Sequence, residues 1–119
     1  MPPIAMGLDY CVSFALPLVM AYQQALTALS DPTRRAVCER LRHGPASVRE
    51  IADRLPVSRP AVSQHLKTLK VAGLVRDEPR GTARIYSIHT PGLRALRDWV
   101  DGFWDDALDS FKTYAEKDQ

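Results

Sequence analysis

The residues best placed for chemistry lie between Val57 and Lys70, in the stretch Val-Ser-Arg-Pro-Ala-Val-Ser-Gln-His-Leu-Lys-Thr-Leu-Lys. At about 100° per residue, Pro60, Ser63, Gln64, Lys67 and Lys70 share one side of a helix. Ala61, Val62, Leu66, Leu69 and Ala72 share the other. The first side is small, polar and basic, with no carboxylate. Its chemistry is recognition rather than bond making. The amide of Gln64 and the hydroxyl of Ser63 match base edges, and ammonium and guanidinium groups match phosphates. A solvated helix face is the plain alternative.

The flanking residues set the ends of that helix. Ser58 is a preferred N-cap, and Pro60 fits the first turn, where its missing N–H costs nothing. Gly73 suits a left-handed residue past the last turn, so the helix is expected over 58–72. Ser47-Val-Arg-Glu50 is a capping box that opens a shorter helix through Leu55, with Ile51, Ala52 and Leu55 inward. Pro56-Val57-Ser58 turns one helix into the next, which makes a helix-turn-helix.

Further elements must brace this pair. Leu18, Tyr22, Ala25, Leu26 and Leu29 predict a helix from about Leu18 to Leu29. Asp31-Pro32 starts another, which runs to about Arg42 and ends at His43-Gly44-Pro45. Leu74–Glu78 and Ala83–Ile88 read as strands, with Tyr86 and Ile88 inward and Pro79-Arg-Gly-Thr82 as the hairpin tip. Arg76, Arg80 and Arg84 make that hairpin a basic wing spanning 75–88. Pro91 opens a last helix to about Glu116. Along it Leu93, Leu96, Val100, Phe103, Ala107, Phe111 and Tyr114 recur at three and four residues, and Trp99 and Trp104 widen the stripe. So long an aromatic stripe on so small a domain is expected to cover a second subunit. The expected fold class is mainly α with a small β-hairpin, ordered α-α-α-α-β-β-α. It divides into an apolar arm at 1–17, a winged domain at 18–90 and a dimerisation helix at 91–119.

Length and charge narrow the function. A chain of 119 residues with 45% apolar and 25% charged residues supports one domain with a modest core. The net charge of +2 hides an asymmetry. Residues 34–86 hold 12 Lys/Arg against 5 Asp/Glu, whereas residues 87–119 hold 4 against 7. The middle suits a polyanion and the ends do not. Two cysteines, Cys11 and Cys38, make neither a disulfide framework nor a zinc site. Cys38 reads as buried filling, with a thiol- or arsenite-responsive switch shared with Cys11 as the alternative. Asp98, Asp101, Asp105 and Asp109 lie on one helical face and read as solvated rather than as a cation site. The run Cys11–Ala21 is too short to span a bilayer, and the first basic residue is Arg34, so neither a membrane anchor nor a signal peptide is expected. The location is expected to be cytoplasmic. No nucleophile–base pair or phosphate-cradling glycine loop supports an enzyme, and no cofactor is expected.

Order and residues together resemble the ArsR/SmtB family of bacterial winged-helix repressors. The carrying motifs are Ala28-Leu-Ser-Asp-Pro-Thr-Arg34, Val48-Arg-Glu-Ile-Ala52, Val57-Ser58 and Val62-Ser-Gln-His-Leu66. Leu69, Gly73-Leu74-Val75 and Gly81 through Tyr86 complete them. The match runs from about Ala21 to Ile88. The resemblance implies a homodimer held by the first and last helices, with the fourth helix reading DNA and an inducer loosening the grip. Family metal sensors carry a CxC pair in the third helix, where this chain has Ser47 and Arg49, or Asp and His pairs on the last helix, where it has no His. The resemblance therefore implies DNA binding without metal sensing.

The expected partner is double-stranded DNA, bound by a homodimer as an inverted repeat; any small-molecule effector is unidentified. Ser63 and Gln64 are the expected base contacts. Ser58, Arg59, Pro60, Lys67 and Lys70 line the phosphate side, and His65 at its border reads as a structural histidine or a phosphate contact. Arg80, Thr82 and Arg84 serve from the wing. Tyr22, Leu93, Leu96, Val100, Phe103, Trp104, Ala107 and Phe111 are the expected dimer contacts. A winged helix that docks a protein instead of DNA is the other alternative.

Overall fold

The computed structural model describes residues 22–117. The expected arm at 1–17, Cys11 and the start of the first helix lie outside the described residues. Five helices and three strands follow in order: α1 (22–28), α2 (Pro32–Arg42), β1 (Ala46–Ser47), α3 (Val48–Arg54), α4 (Arg59–Val71), β2 (Val75–Arg80), β3 (Ala83–Ile88) and α5 (Thr90–Lys117).

The caps explain the helix limits. Asp31 accepts the Arg34 N–H at 2.8 Å and starts α2, and Ser47 Oγ accepts the Glu50 N–H at 3.2 Å and starts α3. The return half of the expected capping box differs: Glu50 Oε1 takes the Ser47 hydroxyl, also at 3.2 Å. Ser58 Oγ accepts the Ala61 N–H at 3.3 Å and starts α4. At the far end Gly73 has φ +76°, the Leu74 N–H reaches Leu69 O and the Gly73 N–H reaches Lys70 O, both at 3.0 Å. That pair of bonds is a Schellman motif, with Leu69 and Leu74 both fully buried as its apolar contact.

The hairpin is longer than expected. Arg80 pairs with Ala83 and Pro79 with Arg84, so only Gly81 and Thr82 turn the chain. Gly81 has φ +64° and stands first in the loop, as a type II′ turn requires. Pro79 is tolerated inside β2 because β2 is an edge strand in the order β1-β3-β2. β1 is a third, two-residue antiparallel strand, Ala46 opposite Tyr86 and Ser47 opposite Ile85, that the expected two-stranded hairpin lacked. Two residues carry no period that a sequence pattern could reveal.

The core gathers one stripe from each element: Val37 and Leu41 of α2, Ile51 of α3, Val62, Leu66 and Leu69 of α4, then Leu74 and Val75. Each fully buried side chain of this size stabilises the fold by about 1.5–3 kcal/mol. Two arginines tie α1 to this core. Arg34 Nε donates to Ala28 O at 2.5 Å and Arg35 donates to Leu29 O at 3.0 Å. Guanidinium groups at a helix C-terminus satisfy its last carbonyls and oppose its dipole.

Candidate nucleic-acid interface

The outer side of α4 is built as its pattern demands. Ser58, Arg59, Pro60, Ser63, Gln64, Lys67 and Lys70 are all exposed, and Val62, Leu66 and Leu69 are buried behind them. The helix can therefore present a polar face because its apolar face is held by α2, α3 and the sheet. His65 departs from that face. It is half-buried and close enough to Asp31 to act on it. The Asp31 carboxyl is held below the usual carboxylate range, first by the Arg34 N–H and also by the charge of His65.

Beside α4 lies an open groove of about 420 Å³, and four elements line it. Arg49 of α3, Arg59 and Ser63 of α4, and Arg84 and Tyr86 of β3 converge there, with Ser47 at the rim. Among the described residues Arg49 and Arg59 have no ion-pair partner. Three guanidinium groups around a concave surface form a seat for an anion such as a backbone phosphate. Arg49, Ser47 and Tyr86 were not among the expected site residues, because only the packing of α3 against the wing brings them to Arg59.

The wing is coupled to α4 through a carboxylate. Asp77 of β2 takes Lys70 Nζ on Oδ1 and Arg84 Nε on Oδ2, each at 2.7 Å. Hydrogen bonds from Lys70 first, then Arg84, hold the Asp77 carboxyl below its usual range, and Asp77 in turn raises Arg84. Lys70, expected to hold phosphate, and Arg84, expected to touch the DNA backbone or the minor groove, are therefore paired within the chain. The strand register sets Arg84 diagonal to Asp77, since Asp77 lies opposite Tyr86, and the packing of α4 against β2 brings Lys70 to the same carboxylate. Arg80 and Thr82 remain exposed at the hairpin tip, and Arg80 has no ion pair among the described residues.

A search of family models matches a helix-turn-helix domain over residues 29–78. HTH-type transcriptional regulator Rv2034 of Mycobacterium tuberculosis is 58% identical over 88 residues, 74% of this chain and 82% of that protein. HTH-type transcriptional repressor SmtB of the same species is 39% identical over 82 residues, 66% of this chain and 61% of its own. The solution structure of the homodimeric winged helix-turn-helix DNA-binding domain Mb0332 from Mycobacterium bovis, described as a possible ArsR-family regulator, superposes with a TM-score of 0.61. It is 26% identical and covers 80% of this chain and 88% of that one. The chain belongs to the ArsR/SmtB family of winged helix-turn-helix transcriptional regulators.

In this ArsR/SmtB protein α5 begins on the core and then leaves it. The Gly92 N–H donates to Gly73 O at 3.0 Å, and a Cβ on Gly92 would stand 2.5 Å from Ala72 O. Only glycine lets the start of α5 lie so close to the C-terminal cap of the recognition helix. Leu93 and Leu96, two of the expected dimer contacts, are half-buried and pack on the chain's own core, and with Val100 they also line an open groove. The stripe covers its own domain for its first two turns, because those turns still lie over it. Tyr22 also has a partner within the chain: its ring stacks on Trp99 at 5.1 Å, and Trp99 meets Phe103 edge-on at 5.0 Å. Phe103 is nevertheless 60% exposed, and beyond that cluster Trp104 and Phe111 are 64% and 71% exposed, with Val100 and Ala107 exposed beside them. Tyr114, part of the expected stripe, and Leu108, which that stripe lacked, lie bare beside these.

Cys38 is buried between α2 and the core, and burial pushes its thiol up, with Glu39 adding to the shift. A thiol so placed is a poor nucleophile and a poor metalloid ligand. Among the described residues no three His, Cys, Asp or Glu side chains are arranged to hold a metal ion.

Proposed function

We propose that this protein is a homodimeric DNA-binding repressor that grips an inverted-repeat operator with two copies of α4 and two wings. The observation that carries the reading is the outer side of α4: polar, basic, free of carboxylate and exposed, on a helix whose opposite side is the domain core. Ser63 and Gln64 read base edges in the major groove, and Arg59 and Lys67 hold phosphates. The groove of Arg49, Arg59 and Arg84 seats one more phosphate, and Arg80 and Thr82 reach the backbone or the minor groove beyond it.

The bare aromatic side of α5 supports a second copy as the partner that covers it, and the homodimeric state of the Mb0332 domain points the same way. A two-fold dimer would set its recognition helices about 34 Å apart, one turn of B-DNA. The name of the SmtB relative supports repression. No described helix is long and apolar enough to cross a membrane, and a role in the cytoplasm alongside the DNA follows from the proposed activity.

A gel shift against the protein's own promoter region, at two salt concentrations, tests this. Lys67→Ala should weaken binding to every duplex and flatten the salt slope by about one. Gln64→Ala should relax discrimination at one base pair, by about 1–3 kcal/mol. Equal losses on operator and random DNA for both variants would refute the division of roles. No binding by the wild type at low salt would refute the function.

A further inference from the structure

The interface carries a nearly enclosed acid that nothing in its proposed DNA contacts requires. The Asp77 side chain is 6% exposed, yet the two cations it holds, Lys70 and Arg84, are 53% and 56% exposed. They come from different elements: the last turn of the recognition helix and the second strand of the wing. One carboxylate therefore does two things. It fixes the wing against α4, and it places a negative charge within 2.7 Å of two groups turned towards solvent on the DNA-facing side.

A cation already shared with a carboxylate attracts a phosphate less than a free one does. Phosphate contact there also releases fewer counterions. Binding to random DNA depends almost wholly on that release, whereas binding to an operator adds base contacts that need the wing and α4 at a set angle. We propose that Asp77 is a positioning residue for specificity: it competes with DNA phosphate for Lys70 and Arg84, so sequence-independent binding is muted, while the same bonds hold the two reading elements in register. This rests on the DNA-binding function proposed above.

The test compares wild type with Asp77→Asn, Asp77→Thr and Asp77→Glu on a random-sequence duplex and on a selected operator, across a salt series. The neutral variants should bind the random duplex about three- to tenfold more tightly at low salt, with a slope steeper by about one. The operator should gain less, so the ratio of operator to random affinity falls. Asp77→Glu, which keeps the charge, should keep the wild-type slope. Neutral variants that are folded but bind random DNA as the wild type does, or more weakly, would overturn the proposal. So would failure of both Asn and Thr variants to fold, which would make Asp77 only a structural tie. If the wild type bound no duplex at all, the DNA-binding function itself would fall. Wild-type binding with unmoved Asp77 variants would remove this inference alone.

Discussion

Residues 32–88 and the far half of α5 carry the same kinds of apolar side chain and use them in opposite ways. In the winged domain, Ile51, Val62, Leu66, Leu69 and Leu74 are wholly removed from water by their own chain. In α5 the stripe starts the same way with Leu93 and Leu96 on the core, then continues past it as Phe103, Trp104, Leu108 and Phe111, all exposed. At 28 residues α5 is about 42 Å long, longer than the domain it starts on can cover. An apolar stripe alone thus shows that a surface will be buried. Whether its own chain or another buries it depends on where the element runs.

The contrast predicts four outcomes of decreasing size. Phe103→Asp with Phe111→Asp places charges where a partner should seal the stripe. With about 2 kcal/mol or more lost at each of four anchors, two from each copy, the dimer should weaken about a millionfold and sediment as a monomer. The winged domain should keep its helical signal, and a simultaneous loss of fold would erase the distinction between the two regions. Leu66→Ala should do the reverse, costing about 2–5 kcal/mol in urea unfolding, because the cavity lies in the fully buried core. Its dimerisation should suffer only through the loss of folded protein.

The third measurement concerns the joint between the regions. Gly92→Ala forces a Cβ against Ala72 O and should cost about 1–3 kcal/mol of stability. It should also tilt α5 away from the cap of α4, so operator affinity should fall while wild-type strength of random binding persists. The smallest effect is in the wing. The Asp77 carboxyl is held low in the folded protein, so its contribution to stability is complete above the ordinary carboxylate pKa. It is lost as pH falls through its lowered folded value. The unfolding midpoints of wild type and Asp77→Asn should therefore converge below about pH 4. A gap that stays constant through acid pH would mean that Asp77 contributes no charge-dependent stability.

Much of the recognition unit was legible before any fold was known. The Ser58 cap, the Gly73 stop and the two-sided stripe of α4 are local features, set by hydrogen bonds between near neighbours and by helical period. The same holds for the Asp31 and Ser47 caps. The clustering of Arg49 with Arg59 and Arg84 was not legible, because those residues are far apart in sequence and no period links them. The pairing of Lys70 with Asp77 was hidden because only the packing of α4 against the wing brings the two together.

The amino-acid order alone determined which helices form, where they stop and that the middle of the chain suits a polyanion, since propensity, capping and net charge act over a few residues. Tertiary structure alone decided which cations stay free, which leucines of α5 face home and that Gly92 must be a glycine. Those outcomes depend on groups brought within a few ångströms by the packing of separate elements, and no local pattern records that distance.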